Sequence, residues 1–266
     1  MAERYWKVVT PQAIAENLRE SFRIIAASRA GGEVRELKGV SIASASATFQ
    51  MFNAAFLSSP VASESELSQR ILLPDLHFHT RGLEWAYWVC QDLMDAATFR
   101  RSRRLFEQHG LRQSVELPGM VAETLLAPAK PLPQLDVRRV EPGATRDAFC
   151  AIGSVCFHVP IAWFTEVFDS DSVWDRFSGY VGYRDGEPVS TTAIIAGGGT
   201  LGVYNVATLP GHQRRGYGEA VMRHALADAQ KQHSCGSVIL QSTPAGLRLY
   251  ERMGFHTITR IAVYAS

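Results

Sequence analysis

A glycine-containing turn between a predicted strand and a predicted helix constrains this chain more than any other feature. Residues 201–209 read LGVYNVATL, a run of β-forming residues that Pro210 and Gly211 end. Residues 220–232 lack glycine and proline and place apolar side chains at helical spacing. The first amides of a helix have no intrahelical partners and lie at the positive end of its dipole. The turn is therefore predicted to bind an anion and to act as a pyrophosphate cradle. It consists of Gln213, Arg214, Arg215, Gly216, Tyr217 and Gly218.

The turn is neither of the two commonest glycine-rich phosphate loops. A Walker loop requires a lysine directly after its last glycine, and none follows here. A dinucleotide-binding fingerprint requires a third glycine at position 221, where this chain has Val221. The turn instead resembles the Gln/Arg-x-x-Gly-x-Gly/Ala motif of the GNAT superfamily, which consists of acetyl-CoA-dependent N-acyltransferases.

A second motif follows at the separation that this superfamily leads one to expect. Residues 237–241 form a short apolar strand pattern, residues 244–253 a helix pattern that Gly254 ends, and residues 255–264 a terminal strand pattern. Residues 249–255 read LYERMGF and resemble the Leu-Tyr-x-x-x-Gly-Phe signature of the superfamily. Two such motifs in the right order are hard to obtain by chance, so residues 135–266 are identified by resemblance as a GNAT acetyltransferase domain.

A proline-rich segment divides the chain. Residues 127–134 read APAKPLPQ, and prolines at this density exclude a helix and are typical of a linker. The predicted organisation is an N-terminal lobe over residues 1–126, a linker over 127–134 and the acetyltransferase domain over 135–266. The predicted fold class is α/β with a mixed sheet: two tandem GNAT-like domains, each with a central mixed β-sheet flanked by helices. The alternative is an unrelated N-terminal α+β domain.

Three pairs of similar segments favour the tandem arrangement, because they occur in the same order in both halves. They are residues 9–11 and 140–142, residues 51–57 and 203–209, and residues 104–111 and 248–255. The first half has no Gly-x-Gly turn after its strand, and it has Phe106 where the second half has Tyr250. The N-terminal half is therefore predicted to be a degenerate copy that shapes the structure or the substrate pocket.

The resemblance implies a role for several residues of the second half. The CoA pyrophosphate would be held chiefly by the backbone amides of the turn, at Arg214, Arg215, Gly216, Tyr217, Gly218 and Glu219. The pantetheine arm would lie along the end of the preceding strand, at Val206, Ala207 and Thr208, where that strand separates from its neighbour. Thr243 stands where the family often has an asparagine near the cofactor. Tyr250 would be the general acid that protonates the leaving thiolate, since a phenol is protonated at neutral pH.

The general base stays open. Asn205 occupies a strand position from which some relatives supply a glutamate, and an amide cannot accept the proton. Glu166, Asp169 and Asp171 lie in a segment expected to border the acceptor site, but each also fits a solvated charge. A water relay or an amine that is already deprotonated would serve equally well.

Composition limits the other partners. A net charge of +1 gives no electrostatic reason to expect nucleic acid or an anionic membrane as a partner. The N-terminus is charged from its third residue and lacks the apolar region of a signal peptide. The four cysteines have no metal-binding spacing, and His77 with His79 lacks a third ligand, so no metal is expected. We therefore expect a cytoplasmic enzyme, monomeric or homodimeric.

The sequence thus predicts an N-acetyltransferase that uses acetyl-CoA as acyl donor and acts on an amine, with a small molecule as the preferred acceptor. A short connector between two similar halves leaves little exposed groove for a macromolecular chain. The alternative is a non-catalytic module that binds or senses acyl-CoA. The absence of a glutamate at position 205 favours that alternative.

Overall fold

The computed structural model of the protein describes residues 9–233 and 235–266. Residues 1–8, on which the expectation about a signal peptide mainly rests, lie outside the described residues. The helices are α1 (Pro11–Ala27), α2 (Glu64–His79), α3 (Ala96–Gln108), α4 (Ala144–Phe157), α5 (Ile161–Phe168), α6 (Tyr217–Gln232) and α7 (Leu247–Arg252). The strands are β1 (Glu33–Leu37), β2 (Val40–Ser44), β3 (Asn53–Leu57), β4 (Ala86–Cys90), β5 (Arg112–Ala122), β6 (Asp136–Arg139), β7 (Ser178–Arg184), β8 (Glu187–Gly197), β9 (Thr200–Thr208), β10 (Val238–Gln241) and β11 (His256–Ala265). No helix in the described residues is long and apolar enough to cross a bilayer.

The strands form one mixed sheet in the order β1-β2-β3-β4-β11-β5-β10-β9-β8-β7-β6. Strands β3 and β4 run parallel, as do β9 and β10, whereas the other neighbouring pairs of this sheet are antiparallel. From one end, the antiparallel strands β1 to β3 are followed by the parallel strand β4, which the chain reaches through α2; from the other end, the antiparallel strands β6 to β9 are followed by the parallel strand β10, which it reaches through α6. The predicted mixed α/β fold is confirmed, and the eleven strands are compatible with two tandem GNAT-like halves.

The two halves interlock through their last strands. Strand β5 ends the first half, yet it lies between β10 and β11 of the second half. Strand β11 in turn lies between β4 and β5. Across the centre, Gln241 pairs with Gly119 and Gly119 pairs with Thr259. The predicted linker, residues 127–134, is irregular and mostly exposed. The domain boundary at residues 127–134 stays a prediction. Each half supplies a strand that lies between strands of the other half.

Helix α1 begins as its sequence pattern predicts and connects the halves. The Thr10 side chain accepts a hydrogen bond from the Ala13 amide, and Pro11 occupies the first turn, which lacks intrahelical acceptors for its amides. The buried side chain of Asn17 donates to the Gly197 carbonyl at 2.9 Å and accepts from the Tyr204 hydroxyl at 2.7 Å. A helix of the first half is thereby fixed to the β8–β9 hairpin of the second half.

Candidate active site

Helix α6 begins with free amides, as the sequence predicts for an anion cradle. It starts at Tyr217, three residues before the predicted start, because Gly216 adopts a left-handed φ of +82° and turns the chain into the helix. No side chain caps this end, and the first amide bonded within the helix is that of Ala220, which donates to the Gly216 carbonyl at 3.0 Å. The amides of Tyr217, Gly218 and Glu219 are therefore available to an anion.

The cradle lies against the end of β9. A Cβ atom on Gly218 would lie 3.2 Å from Thr208 Oγ1 and 3.8 Å from Val206 Cγ1. The Gln213 amide Nε2 donates to the Thr208 carbonyl at 3.2 Å. The structure thus brings together three of the residues for which the sequence predicts cofactor contacts, and glycine at 218 permits this approach of helix to strand.

The charges around the cradle favour an anion. Arg214 and Arg215 are exposed, and neither forms an ion pair with a described residue. The one acidic side chain of the first turn, Glu219, is paired with Arg223 at 2.9 Å. Its negative charge is therefore largely offset and does not repel a bound phosphate.

The linker supports the same end of α6, which the sequence did not indicate. Arg223 Nη2 also donates to the Leu126 carbonyl at 2.7 Å. At the other end of the linker, Pro133 Cδ would lie 3.2 Å from a Cβ on Gly216. Residues at the two ends of the segment between the halves thus lie beside the second turn of α6 and beside Gly216, which precedes the helix.

Strand β9 is separate from β10 at its C-terminal end, which lies against the cradle, as the resemblance implied. The parallel ladder joins Leu201–Val203 to Val238–Leu240, and β9 continues to Thr208 without a β10 partner. Tyr204, Asn205 and Val206 are partly exposed, whereas the three residues before them are buried. The two strands are therefore not hydrogen-bonded to each other beyond Val203, and the gap between their ends is here called the cleft.

A β-bulge at the mouth of this cleft was not predicted. Thr191 pairs with Ala207 and Ala193 pairs with Tyr204, so Thr192 faces two residues of β9, Asn205 and Val206. Asn205 has a φ of +50°, a conformation that asparagine adopts more readily than most residues. An asparagine in a β-rich run is the only sequence signal for this bulge, and asparagine is too common in strands and turns to predict it.

Tyr250 and Thr243 follow β10. The predicted helix over 244–253 is shorter in the structure, where α7 covers Leu247–Arg252 after a turn closed by the Gly246 amide on the Thr243 carbonyl at 3.0 Å. Thr243 has an exposed side chain.

Tyr250 is 8% exposed and belongs to the apolar cluster beneath α6, against which Val206 packs. Burial raises the pKa of Tyr250 to about 12. Its hydroxyl has no hydrogen-bond partner among the described residues and keeps its proton at neutral pH.

The corresponding region of the first half is closed. The Val61 amide donates to the Leu93 carbonyl at 2.8 Å, and this contact joins the segments that follow β3 and β4. Helix α2 is capped by Ser63, while the Glu66 carboxylate accepts from the Ala62 amide at 2.8 Å. The N-terminus of α2 is thus capped by side chains of its own first turn and N-cap, unlike that of α6.

A buried arginine completes this closure. The Arg70 guanidinium donates to the Ser59 carbonyl at 2.6 Å and to the Pro60 carbonyl at 2.9 Å, and it pairs with Glu66. These carbonyls lie in the connection between β3 and α2, where the second half has its Gly-x-Gly turn. The Arg70 and Glu66 side chains thus lie against this connection, and the loss of a cofactor site in the first half stays a prediction.

The three acidic residues considered as bases are engaged in ion pairs. The Glu166 carboxylate accepts from Arg29 Nη2 at 2.9 Å and from the Thr48 amide at 3.1 Å. Asp171 pairs with Arg146, which also donates to the Asp169 carbonyl. Glu166 therefore joins the second half to the first through Arg29 and Thr48.

This role of Glu166 is testable by a neutral substitution. Glu166→Gln should lower the free energy of unfolding by about 1 kcal/mol, because two hydrogen bonds to a partly buried charge are weakened. Chemical denaturation would measure the change, with Asp185→Asn as a control, since Asp185 forms an exposed ion pair with Arg184. Turnover should be unchanged in both variants. A large loss of turnover without loss of stability in Glu166→Gln would instead identify Glu166 as the base.

The loop between β2 and β3 adds side chains of the first half to the second half. Phe49 stacks on Trp163 of α5 with ring centroids 5.8 Å apart. Phe52 packs against Phe168 at 6.2 Å. Phe168 belongs to the apolar cluster that contains Ala207, on the sheet face opposite α6. The first half thus covers the helices that pack behind the end of β9.

No group of three or more His, Cys, Asp or Glu residues in the described ranges is placed to hold a metal ion. His77 and His79 lie two positions apart on α2 and not on a strand, so their side chains point to different sides of the helix. His77 is largely buried and stacks edge-on against Phe78.

Part of the chain matches a known family of protein domains. Residues 175–257 match a family model described as an acetyltransferase (GNAT) domain. No curated protein matches the chain. A GCN5-related N-acetyltransferase from Kribbella flavida superposes with a TM-score of 0.74 at 16% sequence identity, over 98% of this chain and 96% of that chain. The fold is therefore shared over nearly the full length of both proteins.

Two further solved structures share the fold less closely. One is a GCN5-related N-acetyltransferase from Sphaerobacter thermophilus, with a TM-score of 0.53 and 16% identity over 80% of this chain and 72% of that chain. The other is a GCN5-related glucosamine N-acetyltransferase region of a fungal multi-domain GH3 β-N-acetylglucosaminidase, with a TM-score of 0.54 and 14% identity over 93% of this chain and 34% of that chain. At such identities the likeness concerns the fold.

Proposed function

We propose that this chain, in which residues 175–257 match the model of an acetyltransferase (GNAT) domain, transfers an acetyl or small acyl group from acetyl-CoA to the amine of a small molecule. The amine attacks the thioester directly while both substrates are bound. The observation that carries this proposal is the uncapped N-terminus of α6 beside the separated, bulged end of β9. The helix end offers an anion site, and the end of β9 beside it offers backbone amides, so one extended ligand can reach both.

The residues of this region fit acetyl-CoA. The free amides of Tyr217, Gly218 and Glu219, with the exposed side chains of Arg214 and Arg215, are suited to hold the pyrophosphate. Val206, Ala207 and Thr208 have no β10 partner, so those of their backbone groups that face away from β8 can pair with the amides of the pantetheine arm. An exposed hydroxyl at Thr243 lies at the end of β10, on the other side of the cleft.

The chemistry of transfer requires stabilisation of a developing oxyanion and protonation of a thiolate. A backbone amide of the bulge, that of Val206, would donate to the thioester carbonyl. Tyr250 would donate its proton to the departing sulfur, since its pKa of about 12 keeps it protonated at neutral pH. The acidic residues near α5 are engaged in ion pairs, so we propose that the amine reacts in its neutral form and loses its proton to water.

The preference for a small acceptor rests on how the first half covers the second. The loop between β2 and β3 lies on α5 through Phe49 and Thr48. This contact narrows the approach to the end of β9 on the sheet face opposite α6. A folded protein or a long peptide is a poorer fit to such a site than a single amine.

Assay of the full-length protein tests the proposal. Purified protein, acetyl-CoA and a panel of amines should release free thiol with at least one acceptor, and mass spectrometry should detect the acetylated amine. The panel should contain amino sugars such as glucosamine, aminoglycosides, polyamines, aromatic amines and a lysine peptide. Glucosamine belongs there because one protein of similar fold is described as a glucosamine N-acetyltransferase region. Binding of acetyl-CoA without thiol release from any acceptor would contradict the catalytic proposal.

Asn205 favours a second candidate, a non-catalytic module that binds acyl-CoA. No carboxylate stands at this bulge position, and Glu166, Asp169 and Asp171 are engaged by arginines. Such a protein would still bind CoA at the α6 cradle but would need no acceptor pocket. Isothermal titration with acetyl-CoA, combined with the thiol assay, separates the two, because only the enzyme gives both binding and turnover.

A further inference from the structure

Two buried hydroxyl groups on β8 bond to carbonyl groups of β9 at the bulge. Thr191 is 1% exposed, and its Oγ1 donates to the Asn205 carbonyl at 2.9 Å. Ser190 is fully buried, and its Oγ donates to the Ala207 carbonyl at 2.6 Å. The bulge interrupts the ladder at Asn205 and Val206, whereas Ala207 stays paired with Thr191. The Thr191 hydroxyl therefore supplies a donor to the Asn205 carbonyl where the ladder is interrupted, and the Ser190 hydroxyl adds a second side-chain contact at Ala207.

The hydrogen bond from Thr191 also fixes the direction of the next amide. A trans peptide unit is planar, and its carbonyl and amide groups point in opposite directions. No cis peptide occurs in the described residues. Since Thr191 draws the Asn205 carbonyl towards β8, the Val206 amide of the same peptide unit points away from β8. The neighbour of β9 on that other side is β10, which has already separated, so the Val206 amide points into the cleft.

The same argument applies one peptide unit further. Ser190 holds the Ala207 carbonyl towards β8, which directs the Thr208 amide into the cleft. The Leu209 amide donates back to the Val189 carbonyl at 3.0 Å, as expected if the amides alternate in direction. Two side-chain hydroxyls thus direct two amides towards the place proposed for the acyl donor.

We propose that Thr191 is a positioning residue for the transfer reaction: it holds the Asn205–Val206 peptide unit so that the Val206 amide donates to the thioester carbonyl. This inference rests on the proposed function. Asn205 itself contributes the left-handed backbone conformation, and Thr191 selects the orientation of the peptide unit that follows. Ser190 does the same for Thr208, further along the donor.

Thr192 provides a matched control on the same strand. It is fully buried beside Thr191 and faces the bulge, yet its Oγ1 has no hydrogen-bond partner in the structure. Replacement of either threonine by valine preserves the shape of the side chain and removes one hydroxyl. Only the Thr191 substitution removes a hydrogen bond to β9.

Steady-state kinetics of three variants test the proposal. Thr191→Val should lower kcat by about 10- to 100-fold, since loss of an oxyanion donor costs about 10²- to 10³-fold and Thr191 acts through such a donor. The KM for acetyl-CoA should change by less than about threefold, because the cradle is intact. Thr191→Ser keeps a hydroxyl and should restore most of the rate. Thr192→Val should match the parent protein.

Structures of the parent protein and of Thr191→Val with acetyl-CoA bound provide a readout that does not depend on turnover. The proposal expects the Val206 amide to point into the cleft in the parent and the 205–206 peptide unit to rotate in the variant. An unchanged peptide unit, or a Thr191→Val variant as fast as the parent, would overturn it. If Thr191→Val fails to fold, an Asn205 carbonyl that turns away from Thr191 in the parent structure would overturn it equally. A parent protein that acetylates no amine would refute the proposed function, while the comparison of structures still decides the role of Thr191.

Discussion

Gly218→Glu should abolish binding of acetyl-CoA and therefore all activity. A side chain at this position would extend from a point 3.2 Å from Thr208 Oγ1 and 3.8 Å from Val206 Cγ1, into the contact between α6 and β9. Its carboxylate would add a negative charge among amides that we propose to bind a pyrophosphate. Juxtaposed like charges cost several kcal/mol, so affinity should fall by about 10²-fold or more. Isothermal titration with CoA measures this loss directly.

Gly211→Glu is the control for this prediction. It adds the same charge to the same connection between β9 and α6, at a position where a Cβ meets nothing within 4 Å. Affinity should fall only slightly, by long-range repulsion that added salt weakens. Thermal melts of both variants show whether the fold is retained. Undiminished CoA affinity in a folded Gly218→Glu variant would place the pyrophosphate elsewhere and refute the cradle.

The sequence predicted the second half well because its local signals and its tertiary structure agree. Residues 201–209 are rich in β-forming residues and form a strand, and Gly216 supplies the left-handed turn that starts α6. Gly254 likewise ends the segment of α7 with a φ of +99°. Each of these features depends on residues close together in the chain. The helix boundaries differed by a few residues, since the first and last turns depend on contacts that lie elsewhere.

The features that sequence could not predict depend on distant pairs. The exchange of β5 and β11 joins Gly119 to Gln241 and Thr259, more than a hundred residues away, and no local pattern encodes such a pairing. The carbonyl at the Asn205 bulge accepts a hydrogen bond from Thr191, which comes fourteen residues earlier in the chain. Closure of the first half likewise depends on Arg70 meeting carbonyls of the preceding loop. In each case a common residue type gains its role from its neighbours in space.

Tyr250→Phe should lower kcat by about 10²-fold or more, the range for loss of a general acid, while the KM for acetyl-CoA stays within about threefold. The hydroxyl makes no hydrogen bond to the described residues, and the ring packs against Phe255 at 5.9 Å. Its removal should therefore leave the fold and the cradle intact. Because burial raises the pKa of Tyr250 to about 12, the parent retains this proton throughout the neutral range, and the loss should be similar at each neutral pH.

Tyr180→Phe is the matched control, since Tyr180 belongs to the same apolar cluster beneath α6 and loses the same group. Its hydroxyl donates to Asp228 on α6, so this variant should lose some stability but no turnover. The two variants thus separate the effect of packing from the effect on chemistry. Tyr250→Phe should be stable but slow, whereas Tyr180→Phe should be less stable but as fast as the parent. Equal rates for Tyr250→Phe and the parent, measured as thiol release under saturating acetyl-CoA, would assign Tyr250 to the core. The leaving thiolate would then have to take its proton from water in the cleft, and the rate of transfer should depend on the acidity of the thiol instead.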